Sequence, residues 1–77
     1  MAYYLDTIEQ IKGEVEGIYT EYGTREKKST YEAALTAFYT KLMNVSNSAS
    51  HVWFDIKIVN SEGGCLKKDS IGTYVEA

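Results

Sequence analysis

The sequence predicts an α+β fold: an antiparallel two-helix hairpin followed by a C-terminal β-hairpin, with the helices packed on one face of the small sheet. Three observations predict it. Apolar residues recur at steps of three and four from Tyr4 to Tyr22 and again from Tyr31 to Val45. They alternate one by one from Val52 to Val59. A turn cluster, Asn60-Ser61-Glu62-Gly63-Gly64, then reverses the chain.

Helix 1 is expected over about 3–22. Tyr4, Leu5, Ile8, Ile11, Val15, Ile18, Tyr19 and Tyr22 fall on one helical face, with Asp6, Glu9, Glu14, Glu16 and Glu21 outside its centre. Asp6 and Glu9 lie near the first turn, where negative charge suits the helix dipole. Gly23 follows as a natural residue to end the helix. Gly13 and Gly17 each cost about 1 kcal/mol in a helix interior. Two readings of this pair stay open: exposed glycines that the helix tolerates, or a groove that admits a partner backbone.

Thr24 to Ser29 is a basic connection carrying Arg25, Lys27 and Lys28. The second helix can start at Thr24, or at Ser29, where Ser29-Thr30-Tyr31-Glu32 matches a capping box. The apolar spine Tyr31, Leu35, Phe38, Leu42 and Val45 begins only at Tyr31, which favours helix 2 over about 30–46. A short connection makes the two helices antiparallel neighbours. Asn44 to Ser50 is rich in small polar residues and reads as the linker to the strands.

The first strand is expected over about 52–59. Val52, Phe54, Ile56 and Ile58 turn to the helices, and Trp53, Asp55, Lys57 and Val59 to solvent or another subunit. A three-residue loop, Ser61 to Gly63, would set Ile58 opposite Leu66. The return strand, about 65–75, has a weaker pattern, and a bend or bulge is expected near Asp69-Ser70.

The chain, 1–77, reads as one small domain near the lower limit for a self-supporting core. Ordering costs roughly 1.5 kcal/mol per residue, which apolar burial only narrowly offsets. One cysteine, Cys65, excludes an intrachain disulfide, and one histidine, His51, excludes the usual zinc site. No metal or cofactor is expected. A net charge of −3 and a pI near 5 give no long-range attraction for nucleic acid or anionic lipid. The longest apolar runs are a few residues, and no basic region precedes an apolar run at the start, so neither a membrane span nor a signal peptide is expected. A lone free cysteine then suggests the cytoplasm.

Catalytic constellations are thin. His51 and Cys65 fall at opposite ends of the hairpin, roughly 25 Å apart at the strand rise, too far for proton transfer. Glu9, Glu14, Glu16 and Glu21 read as a solvated face, and Gly63-Gly64 as turn glycines rather than a phosphate cradle. The reading that follows is a non-catalytic interaction or assembly module, forming a homo-oligomer (first of all a dimer), with a further protein partner open. Its expected surface is Trp53, Val59, Tyr74 and the Gly13/Gly17 side of helix 1. The alternative is a small nucleic-acid-associated regulator using Arg25, Lys27, Lys28, Lys67 and Lys68.

Overall fold

Residues Tyr3–Lys12 and Tyr19–Lys28 are strands, β1 and β2, joined as an antiparallel hairpin. They are followed by one helix, α1 (Tyr31–Ser46), and two more strands, β3 (His51–Asn60) and β4 (Cys65–Gly72). The computed structural model describes residues 2–76. The two-helix hairpin expected from the sequence is therefore absent. In its place stands one four-stranded sheet in the order β2-β1-β3-β4, antiparallel throughout, with a single helix.

The physical reason for the correction lies in the residue types of 3–24. Eleven of those 22 residues are β-branched or aromatic and none is alanine. Such side chains lose rotamer freedom in a helix and pack well on a pleated surface. The two glycines that a helix would have to tolerate are the hairpin loop. Gly17 has φ +86°, and the Gly13 N–H donates to the Ile18 carbonyl at 2.8 Å. A Cβ on Gly13 would lie 2.9 Å from that oxygen. Gly23, expected to end a helix, sits inside β2 opposite Ile8.

The stretch read as helix 2 is α1. Its N-cap is Thr30, one residue beyond the expected Ser29; the Thr30 hydroxyl accepts the Ala33 N–H at 3.1 Å. Asn47 closes the other end, its N–H donating to the Met43 carbonyl at 3.2 Å. β2 and β3 both run antiparallel to β1, so they are parallel to each other, and α1 is the crossover between them.

Alternation along the strands places Leu5 and Thr7 of β1 with Phe54, Ile56 and Ile58 of β3 on the face beneath α1. Ala34, Phe38 and Val45 come down from the helix to complete the core. Leu5, Phe38, Ile56 and Ile58 are its largest fully buried side chains.

The return strand also differs from expectation. Ile58 lies opposite Lys67, not Leu66, because a register shift at Ile58/Val59 leaves Leu66 as an extra residue. No shift occurs at Asp69-Ser70, which pair regularly with Ile56 and Asp55. Asn60 organises the turn: its Oδ1 accepts the N–H groups of Glu62 at 3.0 Å and Gly64 at 2.8 Å. β4 ends at Gly72, whose φ of +78° turns the chain across the sheet.

Candidate interaction surface

One face of the sheet carries α1 and the other carries no second layer of secondary structure among the described residues. The register places Tyr4, Asp6, Ile8 and Gln10 of β1 on that bare face. Beside them lie Lys27, Arg25, Gly23 and Glu21 of β2, and Val59, Lys57, Asp55 and Trp53 of β3. Lys68 and Ser70 of β4 continue the rows.

Charge is divided along this face. Arg25, Lys27, Lys57 and Lys68 gather at the Tyr4 end, around Asp6. Arg25 grips Asp6 through two hydrogen bonds, each 2.7 Å, and its guanidinium lies 4.8 Å from the centre of the Tyr4 ring. The bond from Arg25 holds the Asp6 carboxyl below its ordinary value of 3.8, against the opposing effect of burial and with help from Lys57. Glu21, Asp55 and the tail residue Glu76 lie toward the other end.

The other end is strapped by the C-terminal tail. The Gln10 amide bonds to both the N–H and the carbonyl of Val75. The Tyr74 ring stands edge-on to Trp53 with centroids 5.1 Å apart. The charge of Glu21 beside it raises the Tyr74 phenol, burial and a hydrogen bond to Glu21 adding to the effect.

The residues singled out from sequence are thus only partly together. Trp53, Val59 and Tyr74 share the bare face, but Tyr74 covers part of Trp53 and Val59 is only 5 % exposed. Gly13 and Gly17 belong to the β1–β2 loop, away from any helix. Of the basic residues, Arg25, Lys27 and Lys68 converge, joined by Lys57. Lys28 and Lys67 point to the helix side instead. Lys67 lies over the Phe38 and Tyr39 rings, 5.7 and 5.4 Å from their centres, and its ammonium is raised chiefly by a hydrogen bond to the Tyr39 hydroxyl.

The two edges of the sheet are unlike. β4 is blunted by the extra residue at Leu66, by Lys67, Lys68 and Asp69, and by the turn at Gly72. β2 carries charge as well, in Glu21, Arg25, Glu26, Lys27 and Lys28, but no bulge: its ten residues hold no proline, pair with β1 without a register shift, and are mostly exposed. α1 leans toward β3, so a groove of about 580 Å³ runs between the helix and β2. Glu26 and Lys28 line it from the strand, and Ala33, Thr36, Ala37 and Thr40 from the helix. Lys41 bridges it at one point, 3.1 Å from Glu26. That contact keeps the Glu26 carboxyl below its ordinary value of 4.5, against desolvation and with Lys28 adding to it.

Sequence reasoning passed over one further cluster. His51 Nδ1 lies 2.8 Å from the Ser48 hydroxyl and Nε2 lies 2.7 Å from Glu9 Oε2. The connectivity Ser–His–Glu is that of a nucleophilic relay. The nearest hollow, about 250 Å³, is lined by Glu9 and His51 and not by Ser48. A molecule seated there meets the carboxylate end of the relay, not the hydroxyl. What the cluster does structurally is tie β1, β3 and the loop after α1 together. Cys65 stands beside Val59, toward the other end of β3 from His51.

Among the described residues no group of histidine, cysteine and carboxylate side chains is placed to hold a metal, and no helix is long and apolar enough to cross a membrane. The chain matches no protein-family model, no curated protein and no solved structure.

Proposed function

We propose that the chain is a non-catalytic assembly module that self-associates by adding β2 of one copy to β2 of another. The observation that carries this reading is the contrast between the two sheet edges. β4 is broken by a bulge and ended by the turn at Gly72, whereas β2, which also carries charge, presents ten unbroken residues whose outward N–H and C=O groups have no strand partner among the described residues. Unpaired edge groups template the addition of another strand. Tyr19, Thr20, Tyr22 and Thr24 are of the residue types that favour strands. The strand is also polar along its length, with Glu21 alone charged in its first half and Arg25, Lys27 and Lys28 outweighing Glu26 in its second. Antiparallel self-pairing sets unlike halves side by side, so its charge favours a second copy over an arbitrary strand.

Sedimentation velocity across a micromolar concentration series tests this. A rise from monomer to dimer mass, abolished by Thr24→Pro in a chain that still gives a cooperative melt, is the expected result. A strict monomer at high micromolar concentration removes the proposal.

The convergence of Arg25, Lys27, Lys57 and Lys68 at one end of the bare face supports a second reading, contact with a nucleic-acid backbone. A mobility shift with generic single-stranded RNA or DNA that weakens as salt rises would promote it. Its absence at low salt would remove it.

A further inference from the structure

We infer that two copies pair their β2 strands about a two-fold axis passing at Thr24, so that Tyr22 of each copy fills the groove between α1 and β2 of the other. This rests on the self-association reading and adds its register and its site. A two-fold axis that relates two adjacent antiparallel strands stands perpendicular to the sheet. It therefore keeps both helices on the same side. Residues directly opposite one another share a face, so the axis must pass between the two copies of a single residue.

Only a few residues can occupy that position. With Arg25 on the axis, two guanidinium groups would face each other. With Gly23 on the axis, Glu21 would face Arg25, which is already held by Asp6 in two 2.7 Å bonds. With Thr24 on the axis, Glu21 faces Lys27, and this happens twice. Lys27 has no ion pair among the described residues. Gly23 then faces Arg25 and leaves room for its long side chain. Thr20 faces Lys28, and Thr24 faces itself, its hydroxyl bonded to Thr7 of its own chain.

The same register places Tyr22 opposite Glu26 on the helix side. Tyr22 is 50 % exposed in the single chain. Glu26 is part of the strand wall of the groove, where Lys41 reaches it at 3.1 Å, and the rest of the helix wall is Ala33, Thr36, Ala37, Thr40 and Asn44. Small residues make space for the ring, and the threonine hydroxyls can partner its phenol. A groove bounded by an edge strand and a helix is also where an added strand directs alternate side chains. Each copy thus completes the other's groove.

Disulfide trapping tests the register. In a Cys65→Ser background, Thr24→Cys should oxidise to a covalent dimer, because paired residues on the axis lie within disulfide reach. Gly23→Cys should not. Covalent dimers from Gly23→Cys and none from Thr24→Cys would overturn the register while leaving β2 pairing intact. Dimer mass with neither cysteine trapped would also overturn this register. Monomer throughout would overturn both. The groove is tested separately by Tyr22→Ala, expected to weaken dimerisation at least tenfold with an unchanged melt of the diluted monomer. An unchanged dissociation constant would overturn the groove assignment. Glu21→Lys and Lys27→Glu should each weaken the dimer, and the double variant should restore it. Failure of restoration would overturn the Glu21–Lys27 pairing.

Discussion

Gln10 holds Val75 by both of its backbone polar groups: the amide Nε2 donates to the Val75 carbonyl at 2.7 Å, and Oε1 accepts the Val75 N–H at 2.9 Å. The side chain is only 3 % exposed, on a sheet face that has no helix to cover it. Each such hydrogen bond contributes about 0.5–1.5 kcal/mol net, so the pair holds the tail to Gln10. Removal of residues 73–77 is expected to destabilise the chain by that order. It should also shift the fluorescence of Trp53, the single tryptophan, to longer wavelength as Tyr74 leaves. Unchanged emission would show that the tail does not stay on the sheet in solution.

Glycine substitutions should separate a strained turn from a blocked one. Gly17 and Gly72 both have positive φ, but a Cβ on Gly17 meets nothing within 4 Å. Gly17→Ala should cost about 1 kcal/mol, the backbone penalty alone. A Cβ on Gly72 would stand 2.1 Å from the Val52 carbonyl oxygen. Gly72→Ala should therefore cost clearly more, about 2 kcal/mol or above, and should release the tail. Equal melting temperatures for the two variants would refute the distinction.

Acid should weaken the fold through Asp6 and Glu26. Both carboxyls are held below their ordinary values, 3.8 and 4.5, chiefly by hydrogen bonds from Arg25 and Lys41. A lowered folded-state value means that the native state keeps its negative charge longer than the unfolded chain. The stabilisation is present above the ordinary values and disappears as pH falls through the lowered ones. Arg25 is exposed and Glu26 partly exposed, so each pair contributes less than about 1 kcal/mol. Asp6→Asn and Glu26→Gln should be less stable than the parent at pH 6, and the gap should close at an acidic pH below both ordinary values. Denaturant titrations at the two pH values measure this, and a constant gap would contradict it.

The core should answer to Phe38. Its ring is fully buried among Leu5, Ile56 and Ile58 under the single helix. Phe38→Ala is expected to cost about 3–5 kcal/mol, a large part of the 5–15 kcal/mol typical of small domains. Far-UV circular dichroism at 25 °C should show partial unfolding. A melt within a few degrees of the parent would mean that the helix contributes little to the core.

The sequence made α1 and β3 legible for physical reasons. The spine from Tyr31 to Val45 is set in alanine and leucine, and the alternation from Val52 to Ile58 has one wholly apolar side. The first third of the chain misled because Leu5, Ile8, Ile11 and Val15 also fit a helical step. Thr7, which is buried in β1, and Gln10, which is buried beneath the tail, are polar and so left no trace in the apolar pattern. With β2 unrecognised, neither its edge nor the exposure of Tyr22 could be read. The strongest available signal was the pair Gly13 and Gly17, which helical expectation had to excuse and a hairpin loop requires.

The blunted β4 edge has a consequence for how large any assembly can grow. A sheet with two adhesive margins adds chains without end and thickens into fibres. In the assembly proposed above, the extra residue at Leu66 and the turn at Gly72 leave β2 as the one margin that joins chains. Two such chains joined at that margin present only β4 at both outer limits, and growth ends at a stoichiometry of two.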